Sequence, residues 1–292
     1  MDIKILIACH KPAPVIQNEV FTPIKVGRCG EGFPDTMLSD GTGDNISDKN
    51  PLYNELTAVY WAWKNYDKLG SPDYLGLHHY RRHFIFREGS IPYYEIKEIN
   101  GDFYKKLNFS EENLEGLLKS GDFIAPMPAK RQSVRKNFMR AHDPKVLELA
   151  ENIISRKYPE YVPALNKYLD GKEAYFYNMF IFDKDTFFRY SEWLFDILFE
   201  IENLADFPIE RMFISERLTG VFFTKLMEEG KKPVLLPTLF VAGKKDSFAE
   251  ALRKTGKNLK AKQSGLLYSL KPIIVYFIPD FVMRLKRARK CK

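Results

Sequence analysis

The run Asp73-Tyr74-Leu75-Gly76-Leu77-His78-His79-Tyr80-Arg81-Arg82-His83-Phe84 gathers three histidines and two arginines behind a short apolar stretch. Tyr74 to Leu77 reads as a buried strand, and the cationic side chains fan out at its carboxyl end. That is the usual layout of an α/β ligand site. Adjacent guanidinium groups donate in planar forks that match paired oxygens, so a phosphate or a carboxylate is the expected partner. Structural carboxylates within the chain are the alternative. An external anion is favoured, because surplus positive charge in so short a stretch is costly without one.

The elements that must carry these residues follow from local patterning. Ile3 to Ala8 is a β-branched, strand-like run closed by Cys9-His10-Lys11-Pro12. Residues 27–51 are rich in Gly, Asp, Asn and Ser and read as a long loop, which in a compact domain is usually functional. Asp40, Asp44 and Asn45 lie in it and offer oxygens to hydroxyl groups, or else build Asx turns. A helix is expected from about Pro51 to Tyr66, with Asn54 and Glu55 at its front and Trp61 and Trp63 facing different sides. The core is the plainer place for both tryptophans. Further helices are expected from Ser110, over Lys145–Lys157, over Phe187–Leu204 and over Glu210–Glu229. Strands are expected at Asp122–Ala125, Ala174–Phe182 and Val234–Val241, while residues 129–143 read as basic and irregular. Strands alternating with helices imply an α/β domain with a largely parallel sheet.

Composition narrows the classes. The chain has 292 residues and is 45% hydrophobic and 14% aromatic, enough for a sizeable core. Its net charge of +7 is uneven: residues 244–292 hold 14 Lys/Arg against 3 Asp/Glu, so residues 1–243 carry a net −4. The electrostatic footprint of a nucleic-acid binder would be confined to that tail, and no nucleic-acid partner is expected. The tail is basic and partly apolar, interrupted by Lys271, Pro272, Pro279 and Asp280, and too broken for a bilayer span. It suits attachment to an anionic membrane surface, with a solvated helix tip as the alternative. Three cysteines (Cys9, Cys29, Cys291) in no zinc spacing favour a reducing compartment without structural disulfides, and the start lacks a secretory pattern. The domains expected are therefore 1–243 and a C-terminal segment 244–292.

Several blocks recur in one order: Asp44-Asn45-Ile46-Ser47, Lys49-Asn50, Tyr53-Asn54-Glu55-Leu56-Thr57, Tyr60-Trp61-Ala62-Trp63-Lys64-Asn65, Gly76-Leu77, His79-Tyr80-Arg81-Arg82 and Tyr177-Asn178-Met179-Phe180. On these residues the chain resembles, over about residues 3 to 240, a bacterial glycosyltransferase family of capsule, exopolysaccharide and O-antigen clusters, long described only as a domain of unknown function. The resemblance implies a GT-A-like, Rossmann-type single domain. It also implies a nucleotide-sugar donor, and some members are similar to galactofuranosyltransferases, so UDP-galactofuranose is one donor it suggests. The acceptor is then a growing or lipid-linked glycan, and the place of work is the cytoplasmic face of the cell membrane.

Enzymes of that fold commonly hold the donor diphosphate through a metal on an Asp-x-Asp motif. Here the corresponding strand end is His78-His79-Tyr80-Arg81-Arg82, and protein cations are able to neutralise the leaving UDP instead. The chain's Asp-x-Asp, Asp183-Lys184-Asp185, suits Mg²⁺ or Mn²⁺. Its plainer reading is a strand-to-helix turn with Asp185 as the cap. Both outcomes stay open: a metal-independent site on the plainer reading, and Mg²⁺ or Mn²⁺ as a cofactor on the other. The resemblance further implies donor contacts from His10, Lys11, Asp44, Asn45, Asn54, His79, Arg81, Arg82 and Asn178, with a structural loop role as the alternative for His10 and Lys11. Inverting transfer needs a base for the acceptor hydroxyl. Glu216, beside Arg217, is the first choice, followed by Asp183, Asp185 and His142, which sits near Arg140. A buried structural Glu–Arg pair is the alternative for Glu216. The competing function is a non-catalytic nucleotide- or polysaccharide-binding subunit. A phosphotransferase is disfavoured because no Gly-x-x-x-x-Gly-Lys-Ser/Thr loop is present.

Overall fold

The computed structural model describes residues 1–27, 32–209 and 211–242. The C-terminal segment expected over 244–292, with its membrane-surface role, lies outside the described residues. β1 (Ile3–Cys9), β2 (Phe21–Lys25), β3 (Leu38–Ser39) and β4 (Tyr74–His79) form one half of the central sheet. β5 (Arg82–Phe84) and β6 (Tyr93–Ile96) follow, then β7 (Phe123–Pro126), β8 (Ala129–Lys130), β9 (Glu173–Ala174), β10 (Phe180–Asp183), β11 (Pro233–Leu236) and β12 (Thr238–Val241). The helices are α1 (Asn50–Tyr53), α2 (Leu56–Lys64), α3 (Phe103–Leu107), α4 (Glu111–Ser120), α5 (Val134–Met139), α6 (Pro144–Lys157), α7 (Val162–Asp170), α8 (Lys184–Leu204) and α9 (Ser215–Glu228).

The main sheet runs in the order β11-β7-β10-β4-β1-β2-β3. β1 pairs in parallel with both β2 and β4, β2 with β3, and β7 with β11, whereas β10 is antiparallel to β4 and to β7. The protein is thus a mixed α/β domain with a mostly parallel central sheet. β1 is an apolar run because both of its faces are covered. Leu6 and Ala8 enter the core shared with α2, α6, α7, α8 and α9, while Ile3, Ile5, Ile7 and Cys9 enter the core beneath α3 and α4. β12 pairs with β5 and β6 and forms an annex beside the carboxyl end of β4.

Direction within this sheet decides what meets what. Ala8 of β1 lies opposite His79 of β4, so both strands end at the same edge. β10 runs the other way: Phe180 pairs with Leu77 and Asp183 with Tyr74. The residues just before β10 therefore arrive at the His79 end, and Asp183 leaves at the far end.

Three expected elements are broken, each at a place where the chain must turn, and a fourth starts late. The helix expected over 51–66 is interrupted at Asn54 (φ 52°), which separates α1 from α2. The strand expected over 174–182 contains Tyr177 (φ 78°) and Asn178 (φ 51°), and only β9 and β10 remain at its ends. The last strand is two, split at Pro237, with β11 and β12 serving different partners. α9 begins at Ser215 rather than at 210. The stretch expected to be irregular over 129–143 holds β8 and α5, whose cap is the Ser133 hydroxyl, accepting from the Lys136 N–H at 3.1 Å.

The long loop is held by one buried carboxylate. Asp40 is fully buried and accepts the Gly27 N–H at 3.0 Å and the Ser47 hydroxyl at 2.6 Å. Trp61 is core and staples the loop to α2 by donating to the Thr42 carbonyl at 2.8 Å. Trp63 is half-buried against the same core, stacked on Phe195.

Candidate active site

The carboxyl ends of β1 and β4 open into a cavity of about 570 Å³, within the range of small-molecule sites. His10 follows β1. His79, Tyr80, Arg81 and Arg82 come from the tight β4–β5 connection, in which His79 pairs directly with Arg82. The facing wall holds Asn54 and Glu55 from the α1–α2 break, Tyr177 and Asn178 from the turn before β10, and Arg211, Ser215 and Glu216 from the approach to α9.

The arginines are supported by rings and by backbone. The Arg81 Nε donates to the Val241 carbonyl at 2.7 Å, and its guanidinium lies 5.1 Å from the centre of the Phe240 ring. Arg82 lies over Tyr177 at 4.7 Å and over Phe240 at 5.3 Å. It has no carboxylate within ion-pair distance among the described residues. Arg211 donates to the Asn54 side-chain oxygen at 3.3 Å. The clustered charge registers on the histidines. Burial, then the charges of Lys11, Arg211 and Arg81, hold His10 below its ordinary pKa, while Glu55 pulls the other way. Burial does the same to His79, with Arg82 adding to it and Glu55 opposing.

The turn before β10 ties the two walls together. Two consecutive non-glycine residues with left-handed φ are costly, and the surroundings must hold them. The Tyr177 N–H donates to Glu216 Oε1 at 3.0 Å, and His79 Nε2–H donates to the Tyr177 carbonyl at 2.5 Å. The Asn178 amide donates to Glu55 Oε1 at 2.9 Å and to the Ser215 hydroxyl at 3.0 Å, and its oxygen accepts from Thr219 at 3.0 Å. Glu216 Oε2 accepts from Arg217 Nη1 at 3.0 Å. Arg217 is buried, and its other arm donates to Asn137 at 3.1 Å. Burial raises the Glu216 carboxyl above its ordinary range; Arg217 and the Tyr177 N–H oppose the rise, and Glu55 adds to it.

Seven expected site residues are therefore brought together: His10, Asn54, His79, Arg81, Arg82, Asn178 and Glu216. Six are placed elsewhere. Lys11 packs over the Tyr80 ring without lining the cavity. Asp44 accepts from the Tyr60 hydroxyl at 3.3 Å, and Asn45 closes an Asx turn onto the Ser47 N–H at 3.1 Å. Arg217 acts behind Glu216. The His142 ring packs against Phe138 and Phe213, each at 4.8 Å. Asp183 leaves β10 at the opposite sheet edge and caps α8, its carboxylate accepting the Thr186 N–H at 2.9 Å and hydroxyl at 2.7 Å. The cap is thus Asp183 and not Asp185. Arg211, Glu55, Tyr177 and Ser215 are facing-wall residues to which sequence alone assigned no role. A Glu directly after the Tyr-Asn pair of a recurring block was the available signal for Glu55; Arg211, in an irregular approach to a helix, had none.

A family profile described as Domain of unknown function (DUF4422) matches residues 4–228. The chain belongs to this family. All cavity residues except Phe240 fall inside the DUF4422 match. A solved apo structure of the WbbM bifunctional glycosyltransferase is similar to it, with a TM-score of 0.75 and 31% identity over 83% of this chain. The chain spans about half of that enzyme, 46% of its length. No curated protein matches the sequence. The DUF4422 domain here thus has a GT-A-like glycosyltransferase fold.

Proposed function

We propose that this DUF4422 protein is a glycosyltransferase of surface-glycan assembly, moving a sugar from a UDP-sugar to a growing or lipid-linked glycan. One observation carries the reading. At the carboxyl ends of β1 and β4, Arg81, Arg82 and Arg211 share one cavity with His10 and with the carboxylates Glu55 and Glu216. Transfer needs the two sets of groups together: cations for the diphosphate that leaves, and a carboxylate for the proton that the acceptor gives up. The likeness to a bifunctional glycosyltransferase supports the same reading. Some members of the family that the Tyr53–Asn65 and His79–Arg82 blocks resemble are similar to galactofuranosyltransferases, which makes galactofuranose one candidate sugar.

A divalent ion would supply Lewis-acid stabilisation of the diphosphate, but the side chains present do not fit one. Asp183 is a helix cap at the far sheet edge, and both Glu216 oxygens already accept hydrogen bonds from the protein. Among the described residues no group of three His, Cys, Asp or Glu is arranged to hold an ion. The proposed counter-charge is therefore Arg81, Arg82 and Arg211, with His10 beside them as a hydrogen-bonding group. The basic residues 244–292 are proposed to hold the enzyme on the anionic inner leaflet, where a lipid-linked acceptor resides.

Calorimetric titration of UDP into the purified protein, in EDTA and again with Mn²⁺, tests this. Micromolar-range binding in EDTA is expected. Binding only with Mn²⁺ would remove the arginine clamp. Absence of binding in both would remove the nucleotide-sugar reading and leave a polysaccharide-binding subunit.

A further inference from the structure

We infer that Glu55, rather than Glu216, takes the proton from the acceptor, and that Glu216 is a positioning residue for the Tyr177–Asn178 turn; this rests on the transferase reading above. The two carboxylates differ in what their oxygens already do. Glu216 Oε1 is bound to the Tyr177 N–H and Oε2 to the guanidinium of Arg217, itself fixed to Asn137. A carboxylate spanning a backbone amide and a buried arginine is built to hold geometry. Its partner Tyr177 is the most positive-φ non-glycine residue among those described, which is where such holding is needed.

Glu55 is arranged differently. Oε1 accepts from the Asn178 amide at 2.9 Å, which orients the group. Oε2 has no hydrogen-bond or ion-pair partner among the described residues, and the side chain lines the cavity. Asn54, with φ 52° and hydrogen-bonded to Arg211, breaks the helix immediately before Glu55, which lines the cavity. An oriented carboxylate with one open oxygen is the arrangement a general base requires. In the step, the acceptor O–H gives its proton to Glu55 Oε2 as the acceptor oxygen bonds the anomeric carbon. The bond from that carbon to the diphosphate breaks, and its electron pair leaves with UDP beside His10, Arg81 and Arg82. The proton passes from Glu55 to solvent after release.

The test uses the full chain and measures UDP release from whichever member of a UDP-sugar panel the wild type turns over, alongside UDP affinity. Glu55→Gln keeps the shape and the contact with Asn178. It is expected to lower kcat at least about 100-fold while UDP affinity stays within about threefold. Glu216→Gln is expected to lower kcat and melting temperature together. A Glu55→Gln enzyme with near wild-type kcat, or a Glu216→Gln enzyme that loses kcat at least as far with an unchanged melting temperature, would overturn the assignment and leave the transferase reading intact. No UDP binding and no turnover by the wild type would overturn both.

Discussion

Arg82 carries a positive charge on a half-buried guanidinium whose near neighbours are the rings of Tyr177 and Phe240. Rings orient a cation but do not neutralise it. The residue is therefore set to meet an incoming anion, and a charge-assisted bidentate contact is its main work. Arg82→Ala is expected to weaken UDP binding by about 10- to 100-fold without loss of secondary structure, read by calorimetry and circular dichroism. Arg82→Lys should recover only part of the loss, because an ammonium lacks the planar fork. Equal affinity in a folded Arg82→Ala protein would remove the diphosphate role. At this scale Arg81 and Arg82 were legible from residue type and adjacency. The division of labour between Glu55 and Glu216 was not, since it depends on which oxygens are occupied by groups distant in sequence.

β4 works as a platform, and two of its features set its tolerance. Gly76 lies between β1 and β10, where an added Cβ would stand 2.8 Å from Ile181 and 3.0 Å from the Phe180 carbonyl. Gly76→Val is expected to cost about 1–3 kcal/mol and to lower the melting temperature measurably in scanning calorimetry. An unchanged melting temperature would mean that the sheet spreads at no cost. The second feature is the fully buried pair His78 and His83, with ring centres 5.3 Å apart. Burial pushes His83 from 6.5 down to about 3, with the Tyr80 backbone opposing, and holds His78 well below the ordinary value. The folded state resists protonation that the unfolded chain accepts. Stability is thus fully present above pH 6.5 and falls as the pH drops from there toward about 3. Thermal melts across that window should show the decline, and His83→Phe should flatten it. An equally steep decline in that variant would assign the acid sensitivity elsewhere. The hairpin that carries Arg81 and Arg82 begins at these rings, so acid should loosen the site along with the fold.

Across the whole molecule, charge is segregated: a mildly acidic body precedes a strongly basic 244–292 segment. Cation clusters on anionic bilayers contribute about 1 kcal/mol per Lys or Arg near the surface, and salt screens them. The full chain is expected to sediment with vesicles containing phosphatidylglycerol, to ignore purely zwitterionic vesicles, and to be released by high salt. Binding indifferent to lipid charge would argue against surface attachment. No helix among the described residues is long and apolar enough to cross a membrane.

Sequence by itself determined the α/β class, the apolar strands β1, β4 and β7, the long amphipathic helices α6 and α8, and the concentration of cations after β4. Each is a local property, written in periodicity, caps or adjacency. The recurring Tyr53–Thr57, His79–Arg82 and Tyr177–Phe180 blocks already pointed to the family. Only the tertiary structure decided which of those residues share a cavity. Asp183 and Asn178 stand five residues apart in one expected strand region. Because β10 runs antiparallel to β4, Asn178 arrives beside His79 and Asp183 is carried to the opposite edge. Strand direction is set by pairing across the sheet, with no counterpart in the local sequence. The breaks at Asn54 and at Tyr177–Asn178 have the same origin. Their left-handed backbones are unfavourable locally and are held by His79 of β4, by Arg211 on the approach to α9, and by Ser215, Glu216 and Thr219 of α9.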